Sequence, residues 1–545
     1  MRPNEIVWWN PKGVPPKGVL VSLLRALGRL DQPLAVLERD GLFGLAPGAA
    51  SEAAGNLAAR PGVRCAALLP ALPPRNLGDP GFRADHGLRF AYVAGGMANG
   101  IASVDLVEAM ARAGMLGFFG AAGLELGRIE AAIDRLTASL GQRPFGFNLI
   151  HSPNEPDREA ATVELYLRRG IRLAEAAAYL QLTLPVVNYR VKGIGRDAEG
   201  RITTPNRIVA KVSRVEVATP FLSPPPAEIL DELVRTGEIT RDQAELAAKI
   251  PMAQDLTAEA DSAGHTDNRP LVTLLPTLIS LRNRLQEKHE FEQAPRVGAA
   301  GGLSTPSALA AAFAMGAAYV VTGSVNQACV ESGASDTVRN LLAQAQQADT
   351  VMAPAADMFE MGVRVQVLKR GTMFPMRAAK LYELYRVYPS LEALPAAERA
   401  SLEKQVFRAT LEETWQSTRD YFLERDPREA DRAERDPKHK MALVFRSYLG
   451  LSSRWANAGD PARVLDYQIW CGPAMGAFNE WARGSRFERA ENRRAAELAL
   501  SLLCGAAVEL RAQGLRGQGI PLPSELCNCP PLDHDECVKV SQSDE

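Results

Sequence analysis

The stretch that most constrains this chain is residues 296–327, R-V-G-A-A-G-G-L-S-T-P-S-A-L-A-A-A-F-A-M-G-A-A-Y-V-V-T-G-S-V-N-Q. An apolar run ends in Ala300-Gly301-Gly302, and a Ser/Thr/Pro cluster then opens an alanine-rich segment that reads as a helix. Gly316 closes it, and 317–321 form a second β-like run ending in Thr322-Gly323-Ser324. The order is strand, glycine loop, helix, strand, glycine loop. Glycines let backbone N–H groups come close to a ligand, and loops after two neighbouring parallel strands converge on one phosphate. In (β/α)8 barrels that site lies after strands 7 and 8. Taken alone, the stretch also fits an ordinary βαβ crossover whose glycines only make tight turns.

The other strand ends decide between these readings. Residues 90–94 form a short strand running into Gly95-Gly96-Met97-Ala98-Asn99-Gly100, and Ser103 and Asp105 sit where a helix N-cap is wanted. Further strands are expected at 115–119, 144–150 and 171–177, at 207–212 and at 252–259, with helices between them. Strands and helices alternating at this spacing predict a parallel sheet, and about eight strands predict a closed (β/α)8 barrel. Four of the strand ends carry more than packing residues: Gly96-Met97-Ala98, Asn148, the loop from Asp261 to His265, and the paired glycine loops.

A chain of 545 residues exceeds one barrel of about 250. The remainder is expected as an N-terminal extension (1–80), with short helices at 19–30 and 49–59, and a large helical domain (325–485) following the barrel (81–324). A C-terminal helix (486–515) packing back on the barrel and a flexible tail (516–545) complete the chain. A net charge of −2 shows none of the basic footprint of a nucleic-acid binder. No apolar run reaches the length of a membrane span, and no signal-peptide pattern opens the chain, so no membrane partner and a cytoplasmic setting are expected. Cys527, Cys529, His534 and Cys537 could supply a Cys3His zinc set, but their spacing is not a standard one, and incidental cysteines on a tail are the simpler reading.

The run A-G-G-M-A-N-G-I-A-S-V-D-L-V-E-A-M-A-R-A-G-M-L-G-F-F-G resembles the N-terminal flavin loop of the nitronate monooxygenase and FMN-dependent enoyl reductase superfamily. F-G-F-N-L-I resembles its third-strand motif, and A-A-G-G-L with V-T-G-S its phosphate motifs. The runs R-V-K-G-I, N-R-I-V-A-K-V-S-R, A-D-S-A-G-H-T-D-N-R-P, F-E-M-G-V-R-V-Q-V-L-K-R-G-T-M-F-P-M-R-A and D-Y-Q-I-W-C-G-P-A-M-G-A-F-N-E-W narrow the match to the PfaD family. Those are trans-acting enoyl reductases of polyunsaturated fatty acid and polyketide synthases. The resemblance covers about residues 75–485.

The resemblance implies an FMN-binding barrel that uses NADPH or NADH to reduce the α,β-double bond of an enoyl thioester on an acyl carrier protein; a homodimer stays open. It places the FMN phosphate on Ala300, Gly301 and Gly302 with Thr322, Gly323 and Ser324, and the ring against Gly96, Met97 and Ala98, with Asn148 at its polar edge. Lys211 is expected to offset the charge of a reduced flavin, with a structurally paired lysine as the alternative. His265, beside Gly264, occupies the superfamily's active-site histidine position and is expected to polarise substrate or donate a proton. Asp261 is expected to organise that loop or touch the flavin. Ala263 stands where the superfamily usually has glycine, adding a methyl to the loop that aims the histidine. The competing enzyme reading is a nitronate monooxygenase-like flavin oxidase; the non-enzymatic one is a flavin-binding scaffold.

Overall fold

The structure, a computed structural model, describes residues 6–48, 61–151, 156–532 and 534–542. The helix expected at 49–59 lies outside the described residues. The chain opens on a sheet that its local sequence pattern was not expected to form. Strands β1 (Val7–Trp9), β2 (Leu34–Arg39), β3 (Leu42–Pro47) and β4 (Val63–Leu69) pair antiparallel in the order β1-β3-β2-β4, with helix Lys17–Leu27 against them. Between β2 and β3 the turn residues Asp40 and Gly41 both have positive φ, 52° and 76°, the backbone of a tight two-residue hairpin.

The barrel follows. Its strands are β5 (Tyr92–Ala94), β6 (Leu116–Phe119), β7 (Gly146–Ile150) and β8 (Leu173–Ala177). A short hairpin, β9 (Gly195–Arg196) and β10 (Ile202–Thr203), leads to β11 (Arg207–Val212) and β12 (Asp255–Glu259). The two-residue strand β13 (Gly264–His265) lies outside the barrel, which closes through β14 (Arg296–Ala300) and β15 (Val320–Thr322). All eight barrel pairs are parallel, and β15 returns to β5. Each of these strands is buried on both faces, which is why they read as short apolar runs rather than alternating ones.

Inside, Val93, Phe118, Val209, Tyr319 and Val321 fill the barrel. Glycine is required at two inward positions. A Cβ on Gly146 would meet the Phe118 ring at 2.4 Å, and one on Gly298 would meet the Tyr319 ring at 2.4 Å. Helix Pro80–His86, capped by the Asp79 carboxylate, closes the bottom, with Phe82 stacked on Tyr319 at 4.2 Å.

Beyond the last barrel strand the chain builds a second core around Phe359, Phe374, Leu381, Phe407, Phe445 and Tyr448. The sequence predicts this region as helical. It also contains β16 (Thr350–Pro354) and β17 (Arg364–Leu368), and these recruit β13 from the barrel into a three-stranded sheet. Helix Ala495–Gly517 then packs against helix Pro306–Ala314 of the barrel, with Gly505 directly opposite Pro306. Its Arg511 donates to Arg29 O at 2.8 Å and Gln32 O at 2.6 Å, tying the N-terminal sheet to the barrel. Within the segment expected as a flexible tail, described residues pack on the fold instead: Cys529 and Cys537 are buried, and the Trp481 indole N–H donates to Cys529 O at 2.7 Å. The side chain of Cys527 lies outside the described residues. No described helix is long and apolar enough to cross a membrane.

Candidate active site

Side chains alternate along each strand, so residues two apart share the barrel interior. Above Gly146, Leu173, Val209 and Thr257 the next inward positions are Asn148, Glu175, Lys211 and Glu259. They form the top layer, at the carboxyl ends of the strands, where barrels carry their sites. The Gly96 N–H donates to Glu175 Oε2 at 2.9 Å, and Asn148 Nδ2 donates to Glu175 O at 3.3 Å. Lys211 Nζ stands 3.7 Å from Glu175 Oε2 and 3.5 Å from Glu259 Oε1. Lys211 is therefore a bracketed ammonium rather than a lone cation. Burial pulls its pKa down, but Glu175 and Glu259 together outweigh that and hold it above the ordinary lysine value. Burial pushes the Glu175 carboxyl up, against the opposing pull of Lys211 and the Gly96 N–H. Glu175 Oε1 is buried with no hydrogen-bond partner.

Glu175 and Glu259 were not anticipated as site residues. The available signal was acidic residues in two otherwise apolar strands: Glu175 in the middle of L-A-E-A-A, and Asp255 and Glu259 at the two ends of D-L-T-A-E. A carboxylate is rarely buried unless paired, so a glutamate in a strand buried on both faces needs a partner across the barrel.

The glycine loops lie side by side on the same rim. Gly301 and Gly302 have φ of +83° and +73°, a region costly for any side chain. A Cβ on Gly301 would strike the Ala260 carbonyl carbon at 2.5 Å, whereas Gly302 and Gly323 face open space. Ala300 lies directly beneath, its carbonyl accepting from Ala260 N. Thr322 is buried, its hydroxyl donating to Tyr92 OH at 2.8 Å, and Asn326 Nδ2 caps the Thr322 carbonyl at 2.9 Å. Thr322 thus fixes the loop from below, leaving Gly323 and Ser324 at the rim. On the first loop, Met97 O accepts from Ala102 N and lies where a Cβ on Gly120 would be, so the loop is pressed on the next strand end.

His265 is held by the second domain. Gly264, at φ +74°, and His265 pair with Gln366 and Val365 of β17. His265 Nε2 lies 3.1 Å from Asp357 Oδ1, and the ring is about half exposed, 45%. Burial lowers the imidazole pKa, but the Asp357 carboxylate outweighs it, so the net shift is upward. Asp261 braces its loop. Its Oδ1 accepts from Asn268 Nδ2 at 2.7 Å and from Gln366 Nε2 at 2.9 Å, and that same Gln366 amide donates to Ser262 O at 2.7 Å. Gln366 is thus the clasp joining the histidine loop to the inserted domain.

The two glycine loops, the Met97 loop, Asn148, Lys211, Glu259 and the His265 loop line one cavity of about 1260 Å³. It runs from the glycine loops, Lys211 and Glu259 past His265 and out beneath the inserted domain, along Met358, Phe407, Tyr421 and Leu451. The structure brings the flavin-site and catalytic residues singled out from the sequence to this one cavity, Asp261 among them while it braces its loop.

Fold and site define a (β/α)8 barrel with a cavity at its carboxyl rim, roofed by an inserted domain. A nitronate monooxygenase family model matches residues 85–412, and the inserted helical domain of [acyl-carrier-protein] S-malonyltransferase matches 388–467. The chain belongs to the nitronate monooxygenase family and, within it, to the PfaD-like group whose motifs it carries. It is 39% identical to the crystal structure of the enoyl reductase domain of MlnA from the macrolactin biosynthesis cluster of Bacillus amyloliquefaciens, covering 81% of this chain and 99% of that one at a TM-score of 0.77. It is 48% identical to a polyunsaturated fatty acid synthase polypeptide of Thraustochytrium sp. over 81% of this chain. A second polypeptide of that organism's polyunsaturated fatty acid synthase is 44% identical over 94% of this chain. The chain spans 30% and 25% of the lengths of those two synthase polypeptides.

Proposed function

We propose that this chain is an enoyl reductase acting on α,β-unsaturated acyl thioesters carried by an acyl carrier protein, with FMN as its resident group and NADPH or NADH as reductant. The observation that carries this reading is the continuity of the cavity: glycine loops, a charged floor, a histidine and an apolar roof line one space. The names of the relatives support it, since an enoyl reductase domain and fatty acid synthase polypeptides are what the chain resembles. A helical insert similar to that of an acyl-carrier-protein transferase fits a carrier partner.

The residues present fit FMN. Gly302 and Gly323 offer open backbone where a phosphate needs N–H groups, and Lys211 lines the same cavity as a largely buried cation. Gly301, Gly302, Gly323 and Ser324 would hold the phosphate, and Gly96, Met97, Ala98 and Asn148 the ring. Bound there, a flavin supplies hydride from the nicotinamide to the substrate's β-carbon. Lys211, held by Glu175 and Glu259, would offset the charge of the reduced flavin. His265, kept protonated to higher pH by Asp357, donates a hydrogen bond to the thioester carbonyl oxygen, where negative charge develops. In the roof, Met358, Phe407, Phe422 and Leu451 give the acyl chain apolar surface, while Arg446 and Arg454 line the same space.

The family match leaves a nitronate oxidase as the second reading. An anaerobic experiment separates them. The protein with FMN is reduced by NADPH or NADH, and enoyl thioesters or a nitroalkane are added while the flavin absorbance is followed. Rapid reoxidation by thioesters, with saturated thioester as product, is expected. Reoxidation only by oxygen with a nitroalkane present would support the oxidase instead.

A further inference from the structure

A second histidine on the cavity wall takes no part in the chemistry described above. His151 directly follows β7 and lines the cavity with Ala178 and Tyr179. Its Nδ1 lies 2.9 Å from Glu159 Oε2 on helix Pro156–Arg168. Glu159 is buried at 4% exposure, and its other oxygen accepts from Tyr179 OH at 2.9 Å and from the Thr183 hydroxyl. The carboxylate is thereby saturated. Tyr179 also stacks on the imidazole, ring centroids 5.7 Å apart. Ala178 holds φ +61°, a conformation an alanine seldom adopts, and it places Tyr179 against both groups. With Nδ1 committed to Glu159, Nε2 is the ring nitrogen left for a ligand. A carboxylate that fixes one imidazole nitrogen so that the other meets a reactant is the arrangement acid–base catalysis uses.

We propose that His151, oriented by Glu159, delivers the proton to the substrate α-carbon. This rests on the enoyl reductase reading. Around the barrel the strands run β5-β6-β7-β8-β11-β12-β14-β15, so His151 (after β7) and His265 (after β12) are three strands apart, with Glu175 and Lys211 between them. The chemistry needs donors from two directions. A hydrogen bond to the carbonyl oxygen lies near the plane of the conjugated thioester, whereas the α-carbon accepts its proton perpendicular to that plane. Once hydride has been delivered to the β-carbon, the C=C π pair would move to the α-carbon and carbonyl oxygen as an enolate. The enolate then takes the proton from His151 Nε2, leaving a neutral imidazole that is reprotonated from solvent.

The test uses an α-methyl enoyl thioester, whose reduction creates a stereocentre at the α-carbon. Wild type with FMN and NADPH is compared with His151→Asn, which keeps a side-chain N–H for Glu159 but removes Nε2. Wild type is expected to give a single α-configuration. The variant is expected to be slower by about 10²-fold and to give a mixture, because water then protonates the enolate from either face. His151→Gln is measured beside it, and melting temperatures check that both variants fold. A variant that keeps the single configuration, at full or reduced rate, overturns the proposal. Wild type inert toward every enoyl thioester would instead overturn the enoyl reductase reading, and this proposal with it.

Discussion

The two ends of the barrel use the same residue types in opposite ways. At the bottom, Asp255 is fully buried between His86 Nε2 and Arg296 Nε, each at 2.7 Å, and Arg296 also reaches Asp85 at 2.7 Å. Burial alone would raise the Asp255 pKa, but His86 and Arg296 outweigh it and the net shift is downward. At the top, Lys211 keeps 3.5 and 3.7 Å from its two glutamates, one oxygen of Glu175 has no partner, and burial wins over the attraction of Lys211. The bottom is saturated and closed by a helix. The top is left unsaturated beside a cavity. Buried charge that is fully bonded within the protein holds a fold together; buried charge left short of partners is poised for a ligand.

The contrast can be broken by mutation at either end. Asp255→Ala strands Arg296 and His86 and is expected to cost about 3–5 kcal/mol in urea unfolding. A loss below about 1 kcal/mol would mean that the bottom network is not what seals the barrel. Linkage gives the same site a pH signature. Because the folded pKa of Asp255 is depressed, its contribution is full above the unfolded value of about 3.9 and is lost as pH falls below it, so Asp255→Asn should flatten the acid limb of stability.

At the top, His265→Ala is expected to keep bound flavin while enoyl thioester reduction falls by about 10²-fold. Full turnover in that variant would remove the role assigned to it. Glu175→Gln keeps an acceptor for the Gly96 N–H and removes a charge that burial disfavours. Its effect on unfolding should stay within about 1 kcal/mol, while FMN affinity changes. A stability loss matching that of Asp255→Ala would erase the difference between the two ends. The smallest effect is on pH dependence. Asp357 raises the His265 pKa, so Asp357→Asn should move the alkaline limb of activity to lower pH. An unmoved limb would show that the pair is not coupled to turnover.

Much of the barrel was legible because its strands are short apolar runs that end in glycine loops, a local pattern. The glycine rims, Asn148, Lys211 and His265 came from the same loops and from family resemblance. What escaped depends on distance along the chain. β13 pairs with β17 about a hundred residues later, so nothing local marks Gly264-His265 as a strand. Glu175 and Glu259 gain meaning only when barrel closure sets them around Lys211. The N-terminal hairpin is a different case, since Asp40-Gly41 is a turn dipeptide between two apolar runs and could have been read.

The unsaturated rim as a flavin site is the claim on which the rest depends, and a titration tests it directly. FMN is added to the flavin-free protein and to Gly302→Asp while absorbance and melting temperature are followed. The account predicts one equivalent bound by the wild type with a raised melting temperature, and none by the variant, whose carboxylate enters the phosphate loop. A wild type that binds no FMN, or a variant that binds it equally well, would contradict the account.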